Sequence, residues 1–178
     1  MARTFTLNFP STAFFPGGLT LAGPTFKNHG AGAYNRVSLA FSSGVAENAV
    51  TGMFVMPSEY VGNSGTHHLK ADICYYTNPT SGAADILCSL EALADGASID
   101  MQASQSFDTS PSADTVTVPG TQGNPDIHTY NLTTEGADDG VAAGNIVRLG
   151  FVRVGTNTAD TLSGDLFLAS ISLYEETV

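Results

Sequence analysis

Two runs near the C-terminus constrain this chain more than any other feature. NIVRLGFVRV (145–154) and DLFLASISLY (165–174) alternate apolar residues with polar or small ones, and GTNTADTLSG separates them. In the first run Val147, Leu149 and Phe151 share a face; in the second, Phe167, Ala169, Ile171 and Leu173 do. A period of two marks half-buried antiparallel strands. The Gly, Asn, Thr, Asp and Ser between them favour turns, through tolerance of left-handed backbone and local side-chain hydrogen bonds. The reading is a long β-hairpin within a sandwich, with no catalytic signature in it.

The same rhythm runs back through the chain. RVSLAF (36–41) aligns Val37, Leu39 and Phe41, and AVTGMFVMP (49–57) aligns Val50, Phe54 and Met56. HHLKADICYYT (67–77) sets Leu69, Ala71, Ile73 and Tyr75 opposite Lys70, Asp72 and Cys74. DTVTVP (114–119) and DIHTYNLT (126–133) add two more strands. Segment 84–94, ADILCSLEALA, also fits helical spacing, but TNPTSG just before it makes a hairpin loop and favours a strand. If residues near 77 and 83 pair, Cys74 and Cys88 lie about one diagonal apart. Their expected role is as small buried hydrophobes rather than a disulfide. Residues 95–113 read as a long polar loop. Eight or nine strands with frequent turn signals predict an all-β, antiparallel two-sheet sandwich of jelly-roll topology over residues 36–178. A chain of 178 residues can bury about 70% of its unfolded surface and hold such a core as one domain.

Residues 1–35 differ. TFTLNF (4–9) reads as one strand, after which Pro16-Gly17-Gly18, Gly23-Pro24 and Gly30-Ala31-Gly32 break regularity. Five phenylalanines make the segment too apolar for a disordered tail. It reads as an extended N-terminal arm that lies on its own body or on a partner. Its expected docking residues are Arg3, Phe5, Phe9, Phe14, Phe15, Phe26 and Lys27, with the cations facing carboxylates.

Charge sharpens that reading. The net charge is −11; the first 46 residues hold Arg3, Lys27 and Arg36 and no acid, and the remainder holds all 17 acids. Such a body excludes nucleic acid as a partner, since phosphate neutralisation needs clustered Lys and Arg. No run reaches the ~18 apolar residues of a membrane-spanning helix, and no export signal is visible, which predicts synthesis and assembly in a cytoplasm.

No motif points to catalysis, so neither enzyme activity nor a cofactor is expected. His67 and His68 are adjacent and face opposite sides of a strand, while His29 and His128 have no partner at ligand spacing. Ser58-Glu59 and Ser64 with His67 lack a nucleophile elbow. Asp138-Asp139 and Asp160…Asp165 are carboxylate pairs, and Asp138-Asp139-Gly140 or Asp160-Thr161 could offer oxygens to calcium, but none matches a calcium loop. Asn131-Leu132-Thr133 is an acceptor sequence for glycosylation only in an exported chain.

MPSEYVG (56–62), the Cys74-Tyr75-Tyr76-Thr77 strand end, VPG (118–120) and the 145–174 region together resemble small jelly-roll head decoration, or cement, proteins of tailed bacteriophages. The resemblance implies a structural virion protein on the capsid exterior, a homotrimer that clamps neighbouring subunits of the major capsid protein. The alternative is a carbohydrate- or receptor-binding β-sandwich of fibre or lectin type. That reading needs an exposed aromatic platform, for which Tyr34, Tyr60, Tyr75, Tyr76 and Tyr130 are the candidates.

Overall fold

The alternating segments are strands, and they stack in two layers. The computed structural model describes residues 2–17, 22–29, 36–62, 65–97, 107 and 111–178. In chain order the strands are β1 (Arg3–Pro10), β2 (Phe14–Pro16), β3 (Thr25–His29), β4 (Arg36–Phe41), β5 (Ala46–Thr51) and β6 (Phe54–Val55), then β7 (His67–Thr77), β8 (Ala83–Leu93), β9 (Asp114–Thr117), β10 (Asp126–Asn131), β11 (Ile146–Val154) and β12 (Leu166–Thr177). The first sheet runs β10-β7-β12-β4-β3, with β1 also on β12. The second runs β2-β5-β11-β8-β9, with β6 also on β11. Every pair of named strands is antiparallel, and the sheets face each other as a jelly-roll sandwich.

Most of the residues that the period of two singled out point inward, but Val37, expected to share the buried face of Leu39 and Phe41, is exposed. Leu39, Phe41, Leu69, Ile73, Tyr75, Val147, Leu149, Phe151, Ile171 and Leu173 are all buried in one core. Phe41 from the first sheet meets Phe151 from the second edge to face, centroids 5.0 Å apart. Segment 83–93 is a strand despite its helix-favouring Ala, Leu and Glu. β9 pairs with its first part, residues 83–86, and β11 with residues 86–93, and most of its side chains are buried, which outweighs intrinsic propensity.

Two expected hairpins are not hairpins. β11 and β12 lie in opposite sheets and meet across the core, and so do β7 and β8. Alternation requires only that one face of each strand be buried, and a partner across the sandwich meets that as well as a neighbour alongside. The two crossing loops bind each other: Ala83 N donates to Thr161 Oγ1, and Thr161 N and Leu162 N donate to Ala83 O. At Gly82 (φ +101°) a Cβ would come within 2.8 Å of Thr161 O, so this crossing admits no side chain. Cys74 and Cys88 consequently lie in different sheets, both as free thiols: Cys88 in the core and Cys74 half-buried on an outer face.

A further correction concerns β12. Its register with β7 shifts between Leu168 and Ser170, a β-bulge at Ala169. The bulge turns Phe167 to the opposite side of the sheet from Ile171 and Leu173, so these three do not share a face. The 49–57 run is likewise two strands, β5 and β6, split at Gly52-Met53.

The N-terminal segment is built into the sandwich. β1 pairs with β12 from Arg3↔Glu176 to Pro10↔Ser170, and β2 pairs with β5. Phe5 and Phe9 pack against the core, where they meet Tyr60 (6.0 Å) and Phe54 (5.0 Å), and Phe14 is a core residue. Residues 3–10 and 14–16 are therefore strands of the two sheets and not an arm detached from the body.

Candidate functional site: a groove on an outer sheet face

Outward residues of the first sheet are dictated by the same alternation. Tyr76 follows the buried Tyr75 on β7, and Ser38 precedes the buried Leu39 on β4. The bulge places Ala169 between them. Tyr76 stacks on its cross-strand neighbour Phe167, centroids 5.0 Å apart and planes 18° apart, and its hydroxyl donates to Ser38 Oγ at 2.9 Å. Stacking on Phe167 and the hydrogen bond at its tip thus help to fix the ring. The small Ala169 leaves space beside it.

That space is a groove of about 700 Å³. Arg36 and Val37 at the start of β4 form one end of it. Asn78, just after β7, and Gln122, Gly123 and Pro125, from the loop before β10, form the other. Gly123 N donates to Thr77 O at 2.9 Å, which fixes the loop against the strand end. No acidic residue is among the described residues lining the groove. The neighbouring Asp126 is engaged elsewhere: it accepts from Tyr75 OH and from the Ile127 amide. Burial, followed by the Asp126 charge, pushes the Tyr75 phenol up to about 12.

The groove sorts the five tyrosines named as possible platforms. Tyr60, Tyr75 and Tyr130 are buried in the core. Tyr34 lies outside the described residues. Tyr76 alone of the four described stands at the surface, and it lines the groove.

The expected docking residues separate as well. Arg3 faces a carboxylate of its own chain, Asp72 at 2.9 Å, and lies 3.6 Å over the Tyr174 ring. Phe5, Phe9 and Phe14 serve the core, while Phe15, Phe26 and Lys27 remain exposed. The structure therefore gathers no single docking surface from these seven residues.

The polar candidates are occupied by local structure. Asp160 is bound by Arg153. Asp139, at φ +49°, accepts from Ala92 N, and Asp138 accepts from Gly140 N. His68 meets Asn131, and Ser58 meets Glu59. Ser64 lies outside the described residues. No group of three or more His, Cys, Asp or Glu is placed to hold a metal ion among the described residues. Sequence reasoning did not find Asn78, Gln122 or Ala169. Polar loop residues carry no local signal of a groove, and the bulge is a property of strand pairing.

No family model matches this chain, and no curated protein matches it. Solved structures similar to it include the C-terminal CBM6 of LamC, a laminarinase from Zobellia galactanivorans, at 10% identity over 96% of this chain and 99% of that one, with a TM-score of 0.46. The CBM22-1 xylan-binding domain of Xyn10C from Paenibacillus barcinonensis matches at 10% identity over 99% of this chain and 96% of that one, TM-score 0.47. The isomalto-dextranase of Arthrobacter globiformis T6 matches at 15% identity over 96% of this chain and 23% of that one, TM-score 0.49. The expected resemblance to phage head decoration proteins holds for the sandwich architecture and is not supported for the identity.

Proposed function

We propose that this chain is a non-catalytic carbohydrate-binding β-sandwich whose ligand lies in the groove beside Tyr76. The observation that carries the reading is the composition of that groove. A fixed aromatic ring offers an apolar surface to the C–H faces of a sugar, while Asn78, Gln122 and Arg36 offer hydrogen bonds to hydroxyls at its edges. This pairing of one flat apolar surface with converging planar polar groups suits a polyhydroxylated ring. The capsid-clamp reading keeps less support, because three of the five phenylalanines that motivated it serve this chain's own core.

Affinity electrophoresis against a panel of soluble polysaccharides tests the proposal. The wild-type chain is retarded by at least one polymer, Tyr76→Phe keeps most of that retardation, and Tyr76→Ala loses at least ten-fold in affinity with an unchanged circular-dichroism spectrum. Retardation that survives Tyr76→Ala, or none with any polysaccharide, overturns it.

A further inference from the structure

The chain has six cationic side chains. Four are in ion pairs: Arg3 with Asp72, Lys70 with Glu176, Arg148 with Glu91, and Arg153 with Asp160. The other two are Arg36 and Lys27, and neither has an ion pair among the described residues. Both belong to the groove side of the first sheet. Arg36 lines the groove. Lys27 is the direct cross-strand partner of Ser38, the residue that holds the Tyr76 hydroxyl, so Lys27 lies on the same face one diagonal from Arg36. In a chain carrying 17 acids, the two cations without an ion pair among the described residues lie together beside a groove that no described acid lines.

We infer that the ligand of this groove is an anionic saccharide, whose carboxylate or sulfate oxygens are received by Arg36 with Lys27 alongside. The inference rests on the carbohydrate reading above and names the charge class of its ligand. A guanidinium presents a rigid fork of donors that engages two oxygens of one anionic group, whereas a sugar hydroxyl uses only one arm of it. The −11 net charge of the chain repels polyanions at long range, so diffuse charge attraction does not explain such binding, and any affinity must come from the local site.

Matched polymers test it: a neutral galactan, polygalacturonate as the carboxylate probe, and a sulfated galactan as the sulfate probe, each assayed by affinity electrophoresis with the full chain. At least one anionic polymer should bind ten-fold or more tightly than the neutral one, and which of them does so identifies the anionic group. Arg36→Gln should lower that affinity to the neutral level, Lys27→Gln should lower it less, and Arg36→Lys should restore part of it. Tyr76→Ala should abolish binding to all three. Equal binding of neutral and anionic polymers, or anionic binding indifferent to Arg36→Gln, overturns the charge inference and leaves the carbohydrate reading in place. Absence of binding to every polymer overturns both.

Discussion

Asp160 holds Arg153 inside the protein through two parallel hydrogen bonds of 2.8 Å, with both side chains essentially inaccessible to solvent. The guanidinium is otherwise surrounded by carbonyls. It donates to Phe41 O on the first sheet and to Leu162 O and Gly164 O on the connection between β11 and β12. Arg153 therefore pins that connection where it passes between the sheets, and the pinning makes β11 and β12 opposite layers of one core. Asp160→Asn leaves the buried cation without its counter-charge and should cost about 3–5 kcal/mol. Urea denaturation checks it; a change under 1 kcal/mol would show that the carbonyls alone hold the guanidinium.

Removing residues 1–10 should destabilise the sandwich rather than release an accessory arm. The deletion strips β1 from β12 and uncovers the core contacts of Phe5, Leu7 and Phe9. Half-burying three such side chains is worth roughly 1–2 kcal/mol each, so a loss of several kcal/mol is expected, while the partly exposed Arg3–Asp72 pair adds little. A thermal melt unchanged by the deletion would rule out a structural role for β1.

Phe151 is fully buried and packs edge to face on Phe41, which makes it a link between the layers. Phe151→Ala should cost about 3–5 kcal/mol in the same urea assay. A cost near zero would mean that the core closes over the cavity.

Two carboxylates should bend the pH dependence of stability in opposite directions. Glu176 titrates below the usual carboxylate range, chiefly because Lys70 donates to it. The unfolded chain then binds the proton more readily than the folded one, so this stabilisation is present at neutral pH and lost as pH falls through the lowered folded value. Asp85 titrates above the usual range, chiefly because it is buried. Its contribution is present at low pH and lost as pH rises through the raised folded value. Lys70→Met should therefore make stability fall less steeply between pH 7 and pH 4, and Asp85→Asn should make it fall more steeply. Urea midpoints at the two pH values check both signs; identical slopes in the two variants would contradict them.

Much of the fold was legible because it is written locally. The 36–41 and 67–77 runs are strands at the very residues where alternation begins and ends, and the inward sides of β7 and β11 follow the pattern position by position. The hydrophobic effect enforces that correspondence: a strand with apolar residues at every second position has one face that must leave water.

The sequence by itself determined where strands form, which side of most of them is buried, and that the chain builds an all-β sandwich. Only the tertiary structure decided what each buried side packs against. Alternation is identical for a strand paired alongside and for one facing it 10 Å across a core, so the 145–174 and 67–93 pairs read as hairpins until Arg153 and the Gly82 crossing separate their strands. The destination of residues 3–16 was hidden for the same reason. Phe5 and Phe9 announce a need for burial, but whether this chain or a partner meets it depends on the free edge of β12, set by residues more than 150 positions away. The groove is the most remote from local reading. It exists because a bulge at Ala169, a stacked Tyr76 and a loop at 122–125 converge from three parts of the chain, and convergence is a property of packing that no single segment carries.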